Sequence, residues 1–148
     1  MKFRFVDRIL DYRENDFIEG IKTVSLEEYF LTNRLGIRKQ FPPTLMAESL
    51  FQLANFLVYK SFHTRLAILT MFNRIEIREP LGPGDAMRMR VKIDSIIGDS
   101  IKMSGVGHVD QREVIRGDGC IGILTDLDKL YDPDDYNRLF NVLCENRT

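Results

Sequence analysis

The spacing of apolar and polar positions changes character along the chain. Residues 44–59 read TLMAESLFQLANFLVY, apolar on nearly every side and free of Gly and Pro. A helix with that pattern has to be enclosed by other structure rather than laid on a surface. Pro42-Pro43 marks its start, because proline lacks the N–H that a first helical turn leaves unpaired. The one charged residue in the stretch is Glu48, with Gln52 and Asn55 following at i+4 and i+7. A single polar stripe therefore runs along an apolar rod.

Further on the period is two. Met87, Met89, Val91 and Ile93 alternate with Arg88, Arg90, Lys92 and Asp94, which predicts a strand with one buried face. Gly98-Asp99 predicts a hairpin turn, residues 100–109 the returning strand, and Asp110-Gln111-Arg112 a second turn. Residues 113–124 then complete a meander. Residues 3–12 and 17–24 predict two earlier strands, and residues 66–77 another, ended by the turn Pro80-Leu81-Gly82-Pro83-Gly84. Ser25-Leu26-Glu27-Glu28 has capping-box spacing and predicts the start of a short helix. Residues 32–41 hold a Gly, three cations and no clean period, which predicts a loop. Asp132-Pro133 predicts an N-cap and first helical position, opening a C-terminal helix that runs to about Cys144. The sum is an α+β domain, one long buried helix against an antiparallel sheet, followed by a C-terminal helix. With no linker and no repeat, residues 1–148 are expected to form one domain.

Composition narrows the function. A chain of 148 residues with 44% hydrophobic and 10% aromatic residues can bury a core. Lys+Arg number 21 against 22 Asp+Glu, a net charge of −1, which argues against nucleic-acid or polybasic membrane binding. Cys120 and Cys144 form neither a CxxC pair nor a disulfide framework, so a reducing compartment is expected. No Cys/His/Asp cluster has metal-ligand spacing, and neither a metal nor a cofactor is expected. The opening Met1-Lys2-Phe3-Arg4-Phe5-Val6-Asp7-Arg8 breaks its apolar residues with charges, unlike a signal peptide. No run approaches the ~18–20 apolar residues of a membrane span. The expected setting is the cytoplasm.

Four stretches resemble one family. Phe5-Val6-Asp7-Arg8-Ile9-Leu10 is similar to the LVDRVL strand of the 3-hydroxyacyl-acyl carrier protein dehydratases. Ile21-Lys22-Thr23-Val24-Ser25 with Glu28-Tyr29-Phe30 is similar to their KxVSxxExFF stretch, and Arg78-Glu79-Pro80-Leu81-Gly82-Pro83-Gly84-Asp85 to their RxPVxPGD loop. The helix start, Pro42-Pro43-Thr44-Leu45-Met46-Ala47-Glu48-Ser49-Leu50-Phe51-Gln52, resembles MPGVLxxEAxxQ. The resemblance spans about residues 3–124 and leaves residues 125–148 as an extension.

The resemblance implies a hot-dog fold, a long helix wrapped by an antiparallel sheet. It also implies a homodimer with sites at the subunit interface, although a heterodimer with a homologue would meet the same need. The substrate it implies is an acyl carrier protein or coenzyme A thioester, and the reaction is loss of water from a 3-hydroxyacyl thioester to give a trans-2-enoyl thioester. Glu48 falls on the family's acid, and Gln52 on the glutamine one turn later that orients it. Pro43, Thr44 and Leu45 fall on the helix N-terminus that holds the thioester oxygen. The family's histidine lies eight residues before the helix-start proline, where this chain has Arg34. Arginine stays protonated and cannot act as a general base. Pro43 stands in place of a glycine whose N–H contacts the thioester oxygen, and proline has none to offer.

Each candidate also has a plainer reading. Glu48 is either an acid/base or nucleophile facing a cavity, or a polar anchor paired with Arg34. His63 lies at a helix end and is expected to be structural, and His108 lies in a strand and is expected at the surface rather than in catalysis. Met87, Met89 and Met103 are expected in the core rather than along an acyl tunnel. Arg34, Arg38 and Lys39 form a small basic cluster that could steer an acidic carrier but is ordinary on a loop. Gly105-Val106-Gly107 lacks the third glycine and following helix of a dinucleotide fingerprint. Cys120 is expected as a small strand hydrophobe. Three functions stay open: a dehydratase-like enzyme with altered chemistry, a thioesterase using Glu48, and a non-catalytic acyl- or carrier-binding subunit.

Overall fold

The computed structural model describes residues 3–28, 32–34 and 38–145, with residues 32–34 and 38–39 described by backbone alone. Strands β1 (Arg8–Arg13), β2 (Phe17–Thr23), β7 (Ala86–Ile97), β8 (Ser100–Val109), β9 (Arg112–Asp126) and β5 (Arg65–Met71) lie side by side in that order. β6 (Arg74–Ile77) continues the β5 side of β9, and every pairing is antiparallel. Helix α1 (Pro43–Phe62) lies against this sheet, with Met46, Leu50, Leu53, Leu57 and Val58 buried. This is the hot-dog arrangement that the resemblance implies.

Local chemistry accounts for the elements. α1 begins at Pro42 with Pro43 in its first turn and ends at His63, whose φ of 59° lies in the left-handed region and stops the helix. In β7, Met87, Met89 and Val91 are buried while Arg88, Arg90 and Lys92 face outward. Across the ladder Glu19 bridges both Arg88 and Arg90. Gly98, at φ 58°, turns β7 into β8, and Asp110, at φ 53°, turns β8 into β9.

After a single 3-10 turn at Leu127–Lys129, helix α2 (Pro133–Cys144) starts as expected. Asp132 accepts from the N–H groups of Asp134 at 2.9 Å and Asp135 at 3.0 Å. Tyr136 and Phe140 then dock the helix onto α1 and β1. Tyr136 lies 5.3 Å from Phe56 and 5.2 Å from Tyr59 between ring centroids, and Phe140 lies 5.4 Å from Tyr12. Aromatic pairs of this kind add ~0.5–1.5 kcal/mol each beyond burial. Burial also pushes the Tyr136 hydroxyl well above the ordinary tyrosine range.

Four expectations need correction. The capping-box segment forms a turn over Leu26 and Glu27 rather than a helix among the described residues. Its Glu28 carboxylate does reach back to Ser25 N–H at 3.1 Å, but it also takes the buried Lys22 ammonium at 2.8 Å, so it serves the sheet. The expected loop at residues 32–41 contains a two-stranded hairpin, β3 (Thr32–Arg34) and β4 (Arg38–Gln40). Such short strands satisfy each other's backbone without any apolar period. The strand expected over residues 66–77 is two, because the β5 ladder is already irregular between Leu69 and Met71 and lapses before β6. The first strand begins only at Arg8, and residues 3–7 run ahead of the ladder.

At Gly20 helix and sheet approach closely. A Cβ there would meet Arg8 O and Leu53 Cδ1, each at 2.8 Å. At Gly117 it would meet only Cys120 Sγ at 3.5 Å, an ordinary contact. Gly20→Ala is therefore expected to destabilise by ~1–3 kcal/mol. Gly117→Ala should stay neutral or gain slightly, and urea unfolding midpoints of the two variants check this contrast.

Candidate active site

Helical spacing stacks Glu48, in the second turn of α1, against Gln52 one turn later. Gln52 Nε2 donates to Glu48 Oε1 at 3.0 Å and to Phe3 O at 3.1 Å. Its Oε1 accepts from Phe5 N–H at 2.8 Å. One amide thus ties the segment ahead of β1 to the helix and fixes one oxygen of Glu48. Among the described residues the other carboxylate oxygen has no hydrogen-bond partner. Asn55, next on the stripe, accepts from Ala67 N–H at 2.8 Å and pins β5 to α1.

The stripe opens on a cleft of about 560 Å³, within the ~300–1,000 Å³ of small-molecule sites. Its floor is the outer face of α1, from Glu48 through Phe51 and Gln52 to Phe56. Phe3 and Arg4 form one wall, β5 another, and α2 a third. Adjoining the cleft, between α1 and the sheet, a small void of about 30 Å³ shares Phe51, Ala54, Leu69 and Met103 with it and is otherwise lined by groups including Leu50, Gly105 and Cys120.

The structure brings Glu48 and Gln52 together at the cleft. Pro43 and Thr44 are exposed at the start of α1 and Leu45 is half-buried, and none of the three lines the cleft. Arg34 ends β3, paired in register with Arg38 of β4. Its side chain, and with it the expected pairing with Glu48, lies outside the described residues, as do Tyr29, Phe30 and the side chains of Arg38 and Lys39.

His63 is the exposed residue closing α1. His108 pairs with Arg88 and Glu113 in the sheet. There the Arg116 guanidinium, forked on Glu113 at 2.7 and 2.8 Å, holds that carboxyl below its ordinary range. Met87 and Met89 are core residues, whereas Met103 is buried and also lines the cleft. Burial pushes the Cys120 thiol up, which fits a hydrophobe and not a nucleophile. No group of His, Cys, Asp and Glu among the described residues could hold a metal ion. Among those residues no helix is long and apolar enough to cross a membrane.

Two features escaped the sequence reading. Lys22 is buried, held by Glu28 at 2.8 Å and Asp7 at 3.6 Å, with its ammonium 5.5 Å from the Phe41 ring. The apolar positions on either side of it, Gly20 and Val24, mark its face of β2 as the buried one. The other is the docking of α2: the helix itself was expected, but not its packing through Tyr136 and Phe140 on α1 and β1.

The long helix and the antiparallel sheet wrapped on it define a hot-dog protein. A family model described as the FabA-like domain matches residues 1–118. The chain belongs to that family. The 3-hydroxyacyl-[acyl-carrier-protein] dehydratase FabZ of Solibacter usitatus is 35% identical over 111 residues, covering 73% of this chain and 68% of that protein. Among solved structures, a hypothetical thioesterase from Streptococcus pneumoniae with coenzyme A superposes with a TM-score of 0.64 at 12% identity, over 80% of this chain and 88% of that one. A chain of the dehydratase heterocomplex ApeI:P from Xenorhabdus doucetiae gives 0.59 at 10% identity, over 77% and 91%.

Gln52→Leu removes the partner of Phe5 N–H and of Phe3 O together. The expected cost is ~1–3 kcal/mol, with faster amide exchange at Phe5. A urea melt combined with hydrogen exchange checks both.

Proposed function

We propose that the chain binds an acyl thioester in the cleft and eliminates water from its 3-hydroxyacyl form. The observation that carries this reading is Glu48, which lines the cleft with one carboxylate oxygen held by Gln52. With arginine at the family's histidine position, this carboxylate has to move both protons. Its free oxygen takes the C2 proton, the C2–H electrons form the double bond, and the C3–O bond breaks. The hydroxyl leaves as water with a proton returned by the same carboxyl, which ends as it began. The thioester is carried on acyl carrier protein, as in the FabZ relative, or on coenzyme A, as held by the thioesterase structure above.

Pro43 and Arg34 favour a second reading. Without the helix-start N–H and the histidine, one carboxylate is enough to activate water for thioester hydrolysis. A binding subunit without catalysis is the third reading, and the arginine and proline at positions 34 and 43 are its motive. Adding a 3-hydroxyacyl thioester and following enoyl absorbance separates the three. Parent protein is expected to turn over, and Glu48→Gln to lose ~10²–10⁴ in rate. Thiol release without enoyl product would establish hydrolysis, and binding without either would establish a passive subunit.

Repairing the two departures gives a further check. One oxyanion donor is worth ~10²–10³ in rate where it has been removed from other enzymes. Base and donor act in one transition state, so Arg34→His with Pro43→Gly should exceed the product of the single effects. Steady-state rates of the four proteins decide it.

The assembly proposed is a two-fold dimer joined along β5 and β6. This edge of the sheet exposes Ile68, Met71, Phe72 and Ile77, a run that an isolated chain would leave open to pairing. Sedimentation at micromolar concentration is expected to show the dimer, and a monomer there would refute it.

A further inference from the structure

We propose that α2 is the acyl-chain ruler of this protein, the wall against which the distal end of the chain lies; this rests on the acyl-thioester reading above. α2 falls outside the residues 1–118 that match the family, yet it walls the cleft. Tyr136 both docks the helix and lines the cleft. Tyr136, Asn137 and Phe140 fasten it to α1 and β1, the Tyr59 hydroxyl donating to Asn137 Oδ1 at 3.0 Å. Asp135, Arg138, Leu139 and Val142, spaced i, i+3, i+4 and i+7, line the cleft. Two of these four are aliphatic: Leu139 is half-buried against the core at the cleft wall, and Val142 is 55% exposed. Asp135 and Arg138 pair at 3.7 Å with both side chains largely in solvent.

Available space directs the chain there. The void between α1 and the sheet, about 30 Å³, has room for about one water and no acyl tail. From Glu48 to Phe56 the helix rises ~12 Å, and at its Phe56 end Tyr136 stacks across the floor. A thioester placed at Glu48 therefore sends its tail along the cleft towards α2, because the small void adjoining the cleft cannot take a chain. A second copy of the chain is a poorer occupant. Leu139 and Val142 offer far less than the ~800 Å² per partner of a stable interface, and the larger apolar exposure lies on the β5 edge.

The test is calorimetry with butyryl, octanoyl and dodecanoyl thioether analogues of coenzyme A. Parent protein should bind the longer chains more tightly, at about fourfold per methylene buried. Leu139→Trp fills the α2 end, and denying burial to two methylenes should weaken dodecanoyl binding ~15-fold while butyryl changes less than twofold. Val142→Trp, at a more exposed position, should repeat the pattern and serves if Leu139→Trp does not fold. Equal weakening of all chains, or none, overturns the ruler and leaves the acyl-thioester reading intact. Failure of the parent to bind any analogue overturns both. A changed sedimentation profile of the tryptophan variants would show that a second copy covers this face, and would also overturn the ruler.

Discussion

The structure depends on hiding a helix that is apolar on almost every side. A single sheet face cannot cover α1, so cover has to come from several directions. The sheet takes Leu50, Leu53 and Leu57, the segment ahead of β1 crosses near Gln52, and α2 covers Phe56 and Tyr59. What remains only half-covered includes Phe51 and the polar stripe of Glu48, Gln52 and Asn55. The cleft is thus the complement of the core, the one place where desolvating α1 would strand a carboxylate and two amides. Gln52 and Asn55 resolve most of that conflict by bonding to backbone groups of neighbouring segments. Glu48 is left half-satisfied, and the chemistry proposed for this protein follows from that remainder.

Elements with a strong period were legible before any coordinates. The period-two alternation of Met87 to Asp94 and the unbroken apolar run after Pro43 each admit one reading, because a shift by one residue would expose the whole face. The α2 N-cap was equally plain, since Asp132-Pro133 satisfies the first helical N–H groups by itself. The hairpin of β3 and β4 was not legible. Its three-residue strands owe nothing to burial pattern, and their backbone bonds can be made by almost any polar sequence. The turn at Ser25 misled for a related reason. The same hydroxyl-to-carboxylate spacing that caps a helix also closes a turn, and Lys22 decided which, from a strand away.

The site was legible in part. Glu48 and Gln52 stood out because polar residues on an enclosed helix need a reason, and the family motif falls on both. The bonding of Gln52 to Phe3 and Phe5 could not be read, since it joins positions 47 and 49 apart in sequence. The same holds for the walls of the cleft, which come from residues around position 3, from β5 and from α2. Periodicity reports which face of an element is buried and is silent on its partner.

That scattering of the walls has a bearing on how the site comes into being. The meander of β7, β8 and β9 closes through hairpin turns and can form from local contacts. α2 joins α1 through pairs such as Tyr59 with Asn137, 78 positions apart. Long closures of this kind form late when folding follows contact order. The cleft would then be the last part of the molecule to acquire its shape, after the helix that floors it is already buried. Whatever occupies it binds a surface completed by the docking of one helix, and in doing so holds that helix in place.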